Sequence, residues 1–256
     1  MTPELVVVLV EPSGPLNVGS VARLCANFDT AALRLVAPRC DASSAEARLM
    51  AVHGAEQLER CEHYPTLEAA VADCRRVVAC SGRVEGRERE HLSPPAALQW
   101  LMAPIAGPNR VALVFGREDH GLHNSELQLA GRLLRIPTGA SYGSLNLSHA
   151  VAVCLAQLQL LRVGEAPTPA APTSGSALPA AEERPAQAAL EAALIDAEAL
   201  LLEVGFLYPH TAAARMAKLR QLLLRSEPSS AEVALLRGMV RQLRWASRHG
   251  SSQQSQ

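Results

Sequence analysis

Ser141-Tyr142-Gly143-Ser144-Leu145-Asn146-Leu147-Ser148-His149-Ala150 leaves the apolar run Leu133 to Ile136 and enters an aliphatic stretch, Leu147 to Leu161, that reads as a long helix. The turn between them gathers small hydroxyls, one amide and a bare glycine backbone. Such a turn offers N–H groups and a helix N-terminus to a polar ligand, and glycine permits a close approach that a side chain would block. The ligand of this protein is expected here, where a strand hands over to a helix.

The same strand-to-helix unit recurs toward the N-terminus. Leu5 to Val10 is a continuous apolar run bounded by Glu11-Pro12-Ser13-Gly14-Pro15, the pattern of a strand buried on both faces. Asn17 to Phe28 places apolar residues at 18, 21, 24, 25 and 28, which predicts a helix capped by Asn17. Leu33 to Ala37 is a second strand, and Ser43 with Glu46 forms a capping-box start for a helix toward Val52. Thr66 opens a helix through Ala72. Arg76 to Cys80 is a third strand, ending in Ser81-Gly82-Arg83, and Ser93-Pro94-Pro95 starts another helix. Val111 to Phe115 is a fourth strand that ends in Gly116-Arg117-Glu118-Asp119-His120-Gly121-Leu122; Asn124 then caps a short helix before the fifth strand, Leu133 to Ile136. Strands alternating with helices predict an α/β fold, a parallel sheet covered on both faces, with ligands at the carboxyl ends of the strands.

Between Gly164 and Ala188 the composition shifts to Ala, Pro, Thr and Ser with five prolines, too poor in large apolar groups to pack. The expected organisation is an α/β domain over 1–163, a linker over 164–188, a helical extension over 189–248 and a disordered tail over 249–256. Leu190, Leu194, Leu201 and Val204 mark the first helix of the extension; Met216, Leu219, Leu222 and Leu223 mark the second. Val233, Leu236, Val240 and Leu243 mark a third behind a Ser229/Glu232 capping box. From Phe206 onward there are eight Lys/Arg against two Asp/Glu, whereas residues 1–163 carry fifteen against sixteen, so the basic character sits in the tail and suits a phosphate-rich partner. Six cysteines without a C-x-x-C pair indicate buried thiols in a reducing cytoplasm, with no zinc ribbon and no disulfide scaffold. Met1-Thr2-Pro3-Glu4 has no basic leader character and Leu5 to Val10 is too short to span a bilayer, so neither export nor membrane insertion is expected.

Three look-alike motifs fail on context. Gly14-x-x-x-x-Gly19-Ser20 lacks the lysine of a phosphate-binding loop, and no G-x-G-x-x-G follows the first strand. Gly139-Ala140-Ser141-Tyr142-Gly143 matches the nucleophile elbow of α/β-hydrolases, but Pro137-Thr138 and Ser144-Leu145-Asn146 separate it from strand and helix. No spacing recommends His149 or His210 as its base.

Asn17, Ser20 and Arg23 share a helix face near an N-terminus where the helix dipole disfavours a cation. Asn17-x-Gly19-x-x-Ala22-Arg23, Phe115-Gly116-x-Glu118-x-x-Gly121-Leu122 and Ser144-Leu145-Asn146-x-Ser148-x-Ala150 together resemble the three ordered motifs of the SPOUT-class RNA ribose methyltransferases, the TrmH/SpoU superfamily. The resemblance covers residues 5–161. Met216 to Arg225 and Glu232 to Gln242 further resemble the C-terminal extension of the TrmJ branch, which methylates the 2′-hydroxyl of a pyrimidine ribose at tRNA position thirty-two, at the start of the anticodon loop.

The resemblance implies a trefoil knot, an obligate cytoplasmic homodimer and no metal. It implies S-adenosyl-L-methionine as cofactor and S-adenosyl-L-homocysteine as product, held at Cys80, Ser81, Gly82, Gly116, Ile136, Gly143, Ser144 and Leu145. Arg23 of one subunit would act beside the pocket of its partner, with Asn17, Ser144 and Asn146 holding the geometry, Glu118 orienting the loops, and the helix from Leu147 packing into the dimer. A free guanidinium is always protonated, so Arg23 is read as stabilising developing alkoxide charge or a neighbouring phosphate. The alternatives are another tRNA or rRNA ribose, a non-catalytic RNA-binding protein and, more remotely, a serine hydrolase built on Ser141. Gly143 stands where the branch often carries serine, which removes a hydroxyl and keeps the backbone donor. Three Phe, three Tyr and two Trp leave little for base stacking, so RNA shape and phosphates are expected to carry recognition.

Overall fold

Seven parallel strands form one sheet in the order β3-β2-β1-β6-β4-β7-β5 in the computed structural model of the chain, which describes residues 3–82, 91–164 and 184–250. The strands are β1 (Glu4–Val10), β2 (Ala32–Val36), β3 (Glu62–Tyr64), β4 (Arg76–Cys80), β5 (His91–Leu92), β6 (Arg110–Phe115) and β7 (Arg132–Leu134). β1 lies beside β6 in a register running from Glu4 opposite Arg110 to Leu9 opposite Phe115. The expected parallel α/β sheet is present.

The continuous apolar runs are explained by burial on two faces. Val7, Leu9, Leu113 and Phe115 point into one core, closed by α1 (Pro15–Asn27), α2 (Ala45–Ala51), α5 (Pro94–Met102) and α7 (Leu147–Gly164). Val6, Val8, Ala112 and Val114 point into the other, closed by α4 (Leu67–Ala70) and by Leu122, Leu129 and Ala130 around α6 (Asn124–Leu127). A short α3 (Ala55–Glu59) follows a single 3₁₀ turn at Val52–Gly54. Helix α7 is long and apolar enough to cross a membrane, but here it buries Val151, Cys154, Leu155 and Leu158 in the first core.

Local reading placed several helix starts wrongly. Helix α1 begins at Pro15 with Gly14 before it, so Asn17 is not its cap; the Ser13 and Gly14 N–H groups that lead into the helix are satisfied from a distant loop. Ser44, not Ser43, caps α2 by accepting the Ala47 N–H, while Ser43 turns back to Asp41. His123 precedes α6 and its N–H donates to Glu126, which leaves Asn124 as the first helical residue. The edge strands β3 and β5 were not expected, being only three and two residues long.

Helices α8 (Gln187–Glu203), α9 (Pro209–Ser226) and α10 (Ser230–Gly250) pack around Leu190, Leu194, Leu207, Met216 and Val233 as a separate core. The Ser229/Glu232 capping box is formed in both directions. Most of the expected linker, residues 165–183, and the tail from 251 lie outside the described residues, as does Arg83. The three helices sit against the amino ends of β4 and β7. Gln187 N–H donates to Cys74 O, and Gln221 donates to Gln128 O. The Glu227 carboxylate at the α9–α10 turn receives the Trp100 indole N–H and the Arg184 and Arg132 guanidiniums. Four of the eight tail cations are paired with three carboxylates: Arg220 with Glu191, Arg237 with Asp196, and Arg244 and Arg248 together with Glu203. The tail read as strongly basic because its counter-charges lie on α8, just upstream of the stretch in which the excess was counted.

Candidate functional site

A cleft of about 430 Å³ opens at the carboxyl ends of β4, β6 and β7. Its walls are residues 80–82 after β4, 116–122 after β6 and the long connection from β7 to α7. Cys80, Ser81, Gly82, Gly116, Ile136, Gly143, Ser144 and Leu145 all line it. The stretch 141–150 supplies one wall, with Ser144 exposed and Leu147 buried at the start of α7.

The loop after β6 has its shape forced by backbone crowding. Arg117 and Gly121 exchange N–H···O bonds, and a Cβ on Gly116 would lie 2.3 Å from the carbonyl carbon of Gly121. Only glycine fits there. Arg117, 6% exposed, ties this loop to the end of β1 by gripping Glu126 at 2.9 Å and Glu11. Arg117 first, with Arg39 assisting, holds the Glu11 carboxyl down at about 2 against the opposing effect of burial. Sequence reading passed over Arg117, since an arginine in a motif gap resembles any surface residue.

Glu118 then reaches across to α1. Its carboxylate accepts Ser13 N–H at 3.0 Å, Ser13 Oγ–H at 3.0 Å, Gly14 N–H at 3.1 Å and Asn17 Nδ2–H at 3.0 Å. A negative group at a helix N-terminus meets unpaired N–H groups and the positive end of the dipole, so Glu118 does for α1 what a local cap would otherwise do. Burial would raise its pKa, but these donors outweigh burial and hold the carboxyl below its ordinary value.

Asn17 continues the chain of bonds. Its Oδ1 accepts from Asn146 Nδ2 at 3.0 Å, and Asn146 Oδ1 accepts Ser148 N–H at 2.9 Å and Ser148 Oγ–H at 2.8 Å at the start of α7. Glu118, Asn17 and Asn146 therefore form one relay joining the three motif segments, and each side chain is committed to holding a loop. The structure brings together Asn17, Glu118, Ser144 and Asn146 but sets Arg23 apart: it lies exposed farther along α1 and is not among the residues lining the cleft of its own chain. Backbone packing fixes its position, since a Cβ on Gly54 would fall 2.6 Å from Arg23 Cα. Helix α1 and the elements packed against it leave apolar side chains uncovered: Leu16 on α1, Leu49 on α2, Val52 in the following turn and Leu160 on α7 are exposed. Ser141 is exposed in the loop, and no imidazole bonds its hydroxyl among the described residues. His120, which the sequence did not single out, lines the cleft with its Nδ1 at 2.8 Å from Asp119.

The SpoU rRNA Methylase family model matches residues 4–156, and the model for the C-terminal domain of tRNA methyltransferase TrmJ matches residues 189–255. The tRNA (cytidine-2′-O-)-methyltransferase TrmJ of Methanocaldococcus jannaschii is 38% identical over 159 residues, 61% of this chain and 68% of that protein. The tRNA (cytidine/uridine-2′-O-)-methyltransferase TrmJ of Cronobacter sakazakii is 34% identical over 237 residues, spanning 91% of this chain and 93% of its own length. The crystal structure of TrmJ from Z. mobilis ZM4 superposes with a TM-score of 0.78 at 28% identity, covering 95% of this chain and 99% of that one. Matched across its sheet, its cleft and its helical extension, the chain belongs to the SpoU RNA methylase family, in the TrmJ branch.

Proposed function

We propose that this chain is an S-adenosyl-L-methionine-dependent tRNA 2′-O-ribose methyltransferase acting on a pyrimidine at position thirty-two, in the anticodon loop, as a cytoplasmic homodimer. The observation that carries the reading is the Glu118–Asn17–Asn146 relay, which gathers three chain-distant motifs around a cleft in a chain whose relatives of similar length are tRNA methyltransferases. The cleft fits the cofactor: Ile136, Leu122 and Leu145 give apolar walls for an adenosyl group, and the glycine-bearing backbones at 82, 116 and 143 leave room for its polar edges. The trefoil knot is part of the proposal. Its support is that β7, the last strand in the chain, lies between β4 and β5, and that the connection from it to α7 shares the cleft with the loops after β4 and β6.

When bound, the cofactor supplies an electrophilic methyl group on a sulfonium. The chain's own contribution is orientation and charge, because methyl transfer needs a positioned acceptor oxygen more than covalent help. Arg23, reaching the partner subunit's cleft, would stabilise negative charge on the ribose oxygen as its proton departs. The exposed apolar side chains of Leu16, Leu49, Val52 and Leu160, on α1 and the elements packed against it, support a second copy as the covering partner. Ser144 would stand toward the ribose, with Asn17, Asn146 and Glu118 holding its loop.

Arg23→Ala is expected to keep S-adenosyl-L-homocysteine binding by calorimetry and to lose methylation of unmodified tRNA, read as a missing ribose methyl by mass spectrometry. Undiminished turnover would remove Arg23 from the mechanism. No heat from the folded wild-type dimer would instead favour a non-catalytic RNA-binding protein.

A further inference from the structure

The chain holds eight Phe, Tyr and Trp residues, and half of them are covered: Phe115 is buried, and Phe28, Tyr64 and Trp100 are half-buried. Three of the remaining four are exposed at one end of the helical extension. Phe206 is 63% and Tyr208 56% exposed in the turn between α8 and α9, and Trp245 is 60% exposed near the end of α10. Helices α8 and α10 run in the same direction, as the pairs Arg237–Asp196 and Arg248–Glu203 show, so the end of α10 lies at the end of α8. This end is the far one from the Glu227 joint; the 17 residues of α8 carry it about 25 Å outward.

Two of the rings are held in defined planes: Tyr208 stacks on His210 at 6.0 Å, and Trp245 on His249 at 4.6 Å. Cations surround them. Arg244 and Arg248 share the single carboxylate of Glu203, leaving a net positive charge; Arg215 is exposed and anchored through Phe206 O; and Arg241 is exposed on α10. Exposed rings set among guanidiniums match one chemistry better than others. Unpaired bases present flat π faces and phosphates together, whereas a duplex hides its faces and offers only phosphates.

We propose that the α8–α9 turn and the last turns of α10 form a stacking platform for unpaired nucleotides of the RNA substrate, with Phe206, Tyr208 and Trp245 as the stacking rings. That the RNA is a tRNA anticodon loop rests on the function proposed above; the stacking itself does not. Base recognition then lies in the extension, where the scarcity of aromatics had argued against it: these residues are few, but they are gathered and uncovered.

The test uses the full chain without methyl donor and reads anisotropy of a labelled RNA hairpin with an unpaired loop, against a blunt duplex. Replacing all three rings (Phe206→Ala, Tyr208→Ala, Trp245→Ala) is expected to weaken hairpin binding about tenfold or more and to leave duplex binding unchanged. The salt slope should stay as in the wild type, because no phosphate contact is removed. Trp245→Phe alone should retain hairpin affinity, and S-adenosyl-L-homocysteine calorimetry checks that the cleft of each variant is intact. Equal affinity of the wild type for hairpin and duplex, or a triple variant that still binds the hairpin, would overturn the platform. So would a variant whose oligomeric state changes in sedimentation while hairpin affinity holds, since that would mark a protein interface. A chain that binds in this way yet transfers no methyl group would refute the proposed function and not the platform.

Discussion

Glu118→Gln tests the link between cleft and fold. The wild-type carboxylate accepts from Ser13 N–H, Ser13 Oγ–H, Gly14 N–H and Asn17 Nδ2–H, and α1 has no side-chain cap of its own. A glutamine keeps one accepting oxygen but turns an NH₂ group toward donors, leaving at least two of them without a partner. Hydrogen bonds to a charged group contribute about 1.5–3 kcal/mol each, and the helix dipole adds about 0.5 kcal/mol. Solvent reaches part of this site and recovers some of the loss, which gives a net cost of about 2–4 kcal/mol. In equilibrium urea unfolding, with an m-value of about 3 kcal/mol/M, the midpoint should fall by about 1 M. The pH dependence supplies a second check. The folded carboxyl titrates below its ordinary value of about 4.5, so its stabilisation is complete above that pH and is lost as pH falls through the folded-state value. The difference between wild type and variant should therefore close on acidification. An unchanged midpoint at neutral pH, or a difference that persists in acid, would refute the assignment of Glu118 as the distant cap of α1.

Gly54→Ala should act on Arg23 rather than on the cleft. The added Cβ, 2.6 Å from Arg23 Cα, forces α1 to shift, so single-turnover methylation should fall about tenfold or more while S-adenosyl-L-homocysteine affinity is kept. Glu227→Ala leaves the Arg132 and Arg184 guanidiniums without their carboxylate and the Trp100 N–H unpaired. The extension should swing away from the sheet, seen as a larger radius of gyration in small-angle scattering with cleft binding unchanged.

What the sequence showed depended on how local each cause was. The two-sided burial of β1 and β6 is written in consecutive apolar residues, and the extension's third helix in Ser229 and Glu232, three positions apart. The start of α1 is not written locally, because the Gly14 N–H at its cap position is satisfied by a carboxylate 104 positions away. Arg34 shows the same limit: it is 1% exposed, its guanidinium bound to Asp73, Glu62 and Ala70 O, and nothing around it in sequence distinguishes it from a surface arginine. The basic tail was misjudged for the same reason, its neutralising carboxylates being on another helix. The ordered motifs nominated residues that share one cleft, yet the cooperation between Asn17 and Asn146 became visible only when 129 positions of chain had folded between them.

The relay through Glu118, Asn17 and Asn146 also sets how the cleft can open. Two of its walls, the loop after β6 and the connection into α7, are fastened at the start of a core helix, so separating them means unfastening α1 or α7, whose side chains fill the main core. Breathing of the cleft and unfolding of the α/β unit become a single event. Backbone amides at Val18 and Ala150, one turn inside the two helices, should exchange with solvent deuterium only through that global event. A ligand spanning the three loops should then slow their exchange and that of β1, which it does not touch, by one common factor set by its concentration and affinity.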